Sequence, residues 1–89
     1  MRNGSVESSF SNLVLMLATG ALQSLGIVEN PISKKKEVNI ELAKHTIDTL
    51  EMLREKTKGN LNDSEKELLE GFLHDLRLKY LEIKEKTKS

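Results

Sequence analysis

Residues 8 to 28 form a run of 21 positions without an Asp, Glu, Lys or Arg, in a chain where those residues make up 31% of the sequence. A charge-free run of this length has three destinations: the interior of a domain, a contact between chains, or a bilayer, which takes roughly 20 residues of helix to cross. Ser9, Ser11, Asn12, Thr19, Gly20, Gln23 and Ser24 keep the run only moderately hydrophobic, which favours a water-soluble core over insertion. On a wheel advancing about 100° per residue, Phe10, Leu13, Val14, Met16, Leu17, Ala18, Ala21, Leu22 and Leu25 cover most of the circumference. Ser8, Asn12, Thr19 and Gln23 fill the narrow polar stripe that remains. A helix apolar on nearly every side must be covered on nearly every side, and two neighbours from one short chain leave part of it bare.

The chain is short: 89 residues hold one domain, residues 1–89. Domains of this size gain their margin from disulfides, metals, exceptional packing or a partner chain. With no Cys, disulfides, thiolate nucleophiles and Cys-type metal sites are excluded, and a reducing, cytoplasmic setting fits. The 14 basic and 14 acidic residues balance, so no global field draws the protein to nucleic acid. Phe10, Phe72 and Tyr80 are its only aromatic residues and leave little for bases to stack on. Nucleic acid is therefore disfavoured as a partner.

Three helices are predicted. Residues 1–7 read as a flexible arm in which Arg2 is set against Glu7, unlike the positive start of a signal peptide. The first helix runs over about 8–25, capped by Ser8 or Ser9 and stopped by Gly26. The connection, 26–38, contains Glu29-Asn30-Pro31 and the run Lys34-Lys35-Lys36; loops of this length are often functional or mobile. The second helix, about 40–57, starts at Asn39, buries Ile40, Ala43, Ile47, Leu50 and Leu53, and presents Glu51 and Glu55 to solvent. Gly59 ends it in the left-handed region. The third, about 63–86, starts at Asn62, which with Glu65 has the spacing of a capping box. Its main stripe is Leu69, Phe72, Leu73, Leu76, Tyr80 and Ile83. The short turn between the second and third helices predicts antiparallel packing. The third helix, at about 35 Å against about 24 Å for the first, should overhang its neighbours, with Leu78 and Leu81 outside its main stripe.

The string Ala43, Ile47-Asp48, Leu50, Leu53, Lys56-Thr57, Gly59-Asn60-Leu61, Glu65, Leu69, Leu73, Leu76-Arg77 and Tyr80 resembles a bacterial family known as domain of unknown function eighteen-forty-four. Phe10, Leu13, Leu17, Ala21, Leu25-Gly26 and Asn30-Pro31 fit the same family, so the resemblance covers nearly the whole chain. Its most distinctive piece is the hexapeptide Lys56 to Leu61. The resemblance implies a small bacterial helical protein and carries no activity, cofactor or catalytic residue. The hexapeptide is accounted for as a helix stop followed by a helix start; a ligand held by Thr57 or Asn60 is the alternative.

Candidate chemistry is sparse. Glu41, His45 and Asp48 share one side of the second helix and Glu70 and His74 one side of the third, which makes His45, Asp48, Glu70 and His74 the candidates for a metal site between helices. The di-metal motif spaces Glu and His by three residues, however, and both histidines fall on polar sides. Solvated surface pairs are the favoured reading, and no metal or other cofactor is expected. Gly20, Gly26 and Gly59 are too far apart for a phosphate cradle, and Ser24, Ser33 and Ser64 lack a base and an orienting group within a motif.

The expectation is an all-α chain, first helix, long loop, then an antiparallel hairpin, completed by self-association. Leu15, Met16 and Leu22 on the first helix and Leu78 and Leu81 on the third would form the partner surface. Another protein as partner, a metal-binding helical protein or enzyme, and a peripheral membrane adaptor built on the first helix and the lysine run are the alternatives.

Overall fold

The computed structural model describes residues 9–88. They form three helices, α1 (Phe10–Ser24), α2 (Ile40–Lys56) and α3 (Asp63–Lys88). The arm expected over residues 1–7, and Ser8, lie outside the described residues.

Each helix begins where a side chain satisfies a backbone N–H that has no partner within the helix. Ser9 Oγ accepts from the Asn12 N–H at 3.1 Å, and Asn39 Oδ1 accepts from the Leu42 N–H at 3.1 Å. At α3 the bonds are reciprocal: Asn62 Oδ1 accepts from the Glu65 N–H at 2.8 Å and Glu65 Oε1 from the Asn62 N–H at 3.0 Å. This is a complete capping box with Asn where Ser or Thr is more usual.

The stops are equally local. After α1, the Gly26 N–H donates to the Gln23 carbonyl and the Ile27 N–H to the Leu22 carbonyl, each at 3.0 Å, a closure that needs the left-handed φ of +76° at Gly26. Leu22 and Ile27 lie half-buried against the core at this closure. After α2, the Thr57 N–H and hydroxyl both donate to the Leu53 carbonyl, at 2.9 and 2.7 Å. Gly59, at φ +84°, then turns the chain toward α3.

The long connection is pinned at its base. Leu25 and Val38 form a single antiparallel bridge, and the Asn39 N–H donates to the Ser24 carbonyl at 2.7 Å. The start of α2 is thereby tied to the end of α1. Farther out, Asn30 Oδ1 accepts from the N–H groups of Ile32 and Ser33, at 2.8 and 3.2 Å. The Asn30 carbonyl accepts from the Lys34 N–H at 2.7 Å, and the Asn30 N–H donates to the Lys35 carbonyl at 2.9 Å. The connection is thus a hydrogen-bonded turn and not a slack loop.

All three pairs of helices are in contact. The core consists of Val14, Ala18, Ala21 and Leu25 from the α1 end, Ala43, Ile47 and Leu50 from α2, and Leu69, Leu73 and Leu76 from α3. Small residues at Ala18, Ala21, Ser24 and Ala43 are buried and allow close approach of the backbones, while Phe10, Leu17, Phe72, Tyr80 and Ile83 close the margins. Arg77 with Glu51, and Arg54 with Glu70 at 3.5 Å, cross from α3 to α2. One partner advances along its helix as the other recedes, which is the antiparallel hairpin the short turn predicts. α3 has 26 residues against 17 in α2 and 15 in α1, an excess over α2 of about 14 Å at 1.5 Å per residue. The thinnest dimension is only 15 Å. Among the described residues, no helix is long and apolar enough to cross a membrane.

Candidate functional site

A concave feature lies at the hexapeptide. Where the first turns of α3 pass the end of α2, a groove of about 370 Å³ is lined by Arg54, Glu55, Thr57, Lys58, Gly59, Leu61, Asp63, Lys66, Leu69 and Glu70. Its floor is apolar through Leu61 and Leu69. Its rim alternates three cations with three carboxylates and selects neither sign of ligand. Thr57 lines the groove with its hydroxyl hydrogen already donated to Leu53, whereas Asn60 is exposed and outside the lining. The groove is the seam left by a helix stop and a helix start set six residues apart.

Beside it runs an ionic clasp that the helix wheels do not reveal. Glu51 pairs with Arg77 across the hairpin and lies 3.7 Å from Arg54 on its own helix, and Arg54 reaches Glu70 at 3.5 Å. The chain Arg77–Glu51–Arg54–Glu70 fastens α2 to α3 outside the core. Glu51, expected as a simple solvated residue, is half-buried within it. The i, i+3 spacing of Glu51 and Arg54 was visible in the sequence, but the register that brings Arg77 alongside was not.

That register separates two of the metal candidates. Glu70 sits opposite Arg54, and Asp48 lies six residues, about 9 Å of helix, back along α2. Asp48 instead accepts from Lys44 Nζ at 2.9 Å; this hydrogen bond, then the carboxylate charge, raises the Lys44 pKa above its ordinary 10.5. His45 and His74 are exposed on different helices. Among the described residues, no group of three or more His, Asp or Glu side chains is placed to hold a metal ion.

The expected partner surface divides. Leu15 and Met16 on α1, and Leu78 and Leu81 on α3, are large apolar side chains with 43 to 65% of their surface exposed. Leu22 is half-buried and packed against the chain's own core. On α1 the bare strip also contains the exposed Thr19. On α3, Leu78 and Leu81 occupy the side away from Leu69, Leu73 and Leu76.

A capped three-helix core with a mixed-charge seam and outward apolar side chains defines the class: a small all-helical domain whose exposed surface is more distinctive than any concave site. The chain belongs to the family described as Domain of unknown function (DUF1844), whose model matches residues 7–82 and so takes in α1, the connection, α2 and most of α3. No curated protein and no solved structure matches it.

Proposed function

We propose that this chain is a self-associating helical interaction module, whose copies meet through Leu15 and Met16 of α1 and Leu78 and Leu81 of α3. The observation that carries the reading is the exposure of these four side chains, between 43 and 65%, on helices whose opposite sides already bury the core. Apolar residues scattered singly over a surface need no explanation. Here they come in pairs, one or three residues apart, on the helix that carries no charge and on the helix that outruns its neighbours. The absence of Cys from the sequence suits a cytoplasmic role, where thiol chemistry is not needed to hold the fold.

Sedimentation equilibrium over a micromolar concentration series tests the proposal. Self-association is expected in the unaltered chain, and Leu78→Glu with Leu81→Glu should give monomers that keep their helical circular dichroism, because neither side chain is in the core. A stable, folded monomer across the whole series would overturn the reading.

A further inference from the structure

We infer that the tip of the α1–α2 connection, from Pro31 to Lys36, is a contact for an anionic lipid surface. Ile32 is 90% exposed, more than any other large apolar side chain among the described residues. A slack loop could fold such a residue back on the protein. Here the backbone holds it out, since the N–H groups of Ile32 and Ser33 are tied to Asn30 Oδ1 and the Lys34 N–H to the Asn30 carbonyl. Lys34 takes the left-handed conformation, at φ +61°, that completes the turn.

The lysines follow directly. Lys34, Lys35 and Lys36 are exposed, and no carboxylate pairs with any of them among the described residues. Residues 30–36 contain no acid; Glu29 and Glu37 flank them toward the base, where the Leu25–Val38 bridge closes the loop. One exposed apolar side chain followed by three exposed cations on a hydrogen-bonded tip is poorly built for a shaped protein pocket, which would need hydrogen-bonding groups arranged around it. It suits a fluid anionic surface, which supplies phosphates to the ammonium groups and an apolar layer beneath them to the Ile32 side chain. The inference does not rest on self-association, because none of the residues proposed for that contact lies in the tip.

Co-sedimentation with phosphatidylcholine vesicles, with and without phosphatidylserine, tests it at low and high salt. The protein should bind only the phosphatidylserine vesicles, and high salt should release it. Ile32→Ser should weaken partitioning about tenfold, the equivalent of losing burial of one aliphatic side chain, and Lys35→Glu with Lys36→Glu should abolish it. The sequence has no Trp, so Ile32→Trp adds a direct reporter whose emission should shift to the blue on these vesicles. Unchanged melting and solution mass in the variants would separate this effect from unfolding and from loss of self-association. No binding to phosphatidylserine vesicles would overturn the inference. So would salt-sensitive binding that ignores Ile32, matched by equal binding to polyglutamate, since that pattern belongs to an acidic protein partner.

Discussion

Gly26 and Gly59 make a matched pair for testing how the helix stops hold the fold. Both have positive φ, +76° and +84°, so replacement by Ala costs each about 1–2 kcal/mol for forcing an L side chain into the left-handed region. Their surroundings differ. A Cβ at Gly59 would meet nothing within 4 Å, whereas one at Gly26 would sit 2.8 Å from Val38 Cγ2 and 3.4 Å from the Glu37 carbonyl oxygen. Relieving that clash means shifting the β-branched side chain of Val38, and with it the bridge that ties α2 to the end of α1. Overpacking of this kind adds roughly 1–3 kcal/mol, and half-exposed Val38 has room to yield, so about 2–4 kcal/mol in all is expected at Gly26. At roughly 5 °C per kcal/mol for a domain of this size, Gly59→Ala should lower the melting temperature by about 5–10 °C and Gly26→Ala by about 10–20 °C. Circular dichroism melts at one fixed protein concentration would measure both, since association raises apparent stability by mass action. Asn tolerates the left-handed region but keeps a Cβ, so Gly59→Asn should recover most of the loss and Gly26→Asn little of it. Equal losses at the two glycines, or full recovery in Gly26→Asn, would refute the role given to the Val38 contact.

The Glu51–Arg77 pair, with each side chain 43% exposed, should show a coupling of about 0.5–1 kcal/mol in a double-mutant cycle to Ala, in keeping with a partly screened ion pair. The coupling should shrink near 1 M salt, where screening acts over about 3 Å; zero coupling at low salt would make the clasp incidental to the hairpin. Lys44, whose pKa is raised by its hydrogen bond to Asp48 and then by the carboxylate charge, should titrate above 10.5 by nuclear magnetic resonance, and Asp48→Asn should remove the elevation. Because the folded-state value is raised, the contribution of this pair is complete below the ordinary lysine range and is lost as pH climbs through the higher folded value. An unchanged Lys44 midpoint in Asp48→Asn would contradict that account.

Much of the fold is legible in the sequence because its boundaries are set within a few residues. Ser9, Asn39 and the Asn62–Glu65 box start the helices by bonding to N–H groups three positions away, and Gly26 stops the first by its own φ. The antiparallel hairpin follows from the short turn at Gly59. What stayed hidden depends on register between distant segments. A wheel of α2 puts Glu51 in solvent and cannot show Arg77 arriving from 26 positions along the chain. A wheel of α1 counts Leu22 among the apolar positions available to a partner, but in the fold it is half-buried against the chain's own core, at the closure where Ile27 also packs. The connection read as a length of loop; its order comes from Asn30, whose side-chain oxygen gathers two backbone N–H groups at once. The lysine run drew attention to charge, and only the fixed turn shows Ile32 standing out beside it.

One stretch of α3 explains why the sequence points to association without naming its purpose. Within residues 76–81, Leu76 is buried in the core, Arg77 reaches sideways to Glu51, and Leu78 and Leu81 are bare on the other side. Consecutive residues on a helix step by about 100°, so α3 is apolar toward its own chain and carries two bare leucines away from it. With the core on its inner side, the proposed second copy would cover Leu78 and Leu81 together with Leu15 and Met16 of α1. Folding and the proposed association would then draw on the same helix. On that proposal, a substitution that loosens α3 from its core would also disorder the surface offered to the partner, and apparent stability should rise with protein concentration. Such coupling is a natural route to a comfortable margin for an 89-residue chain without disulfides.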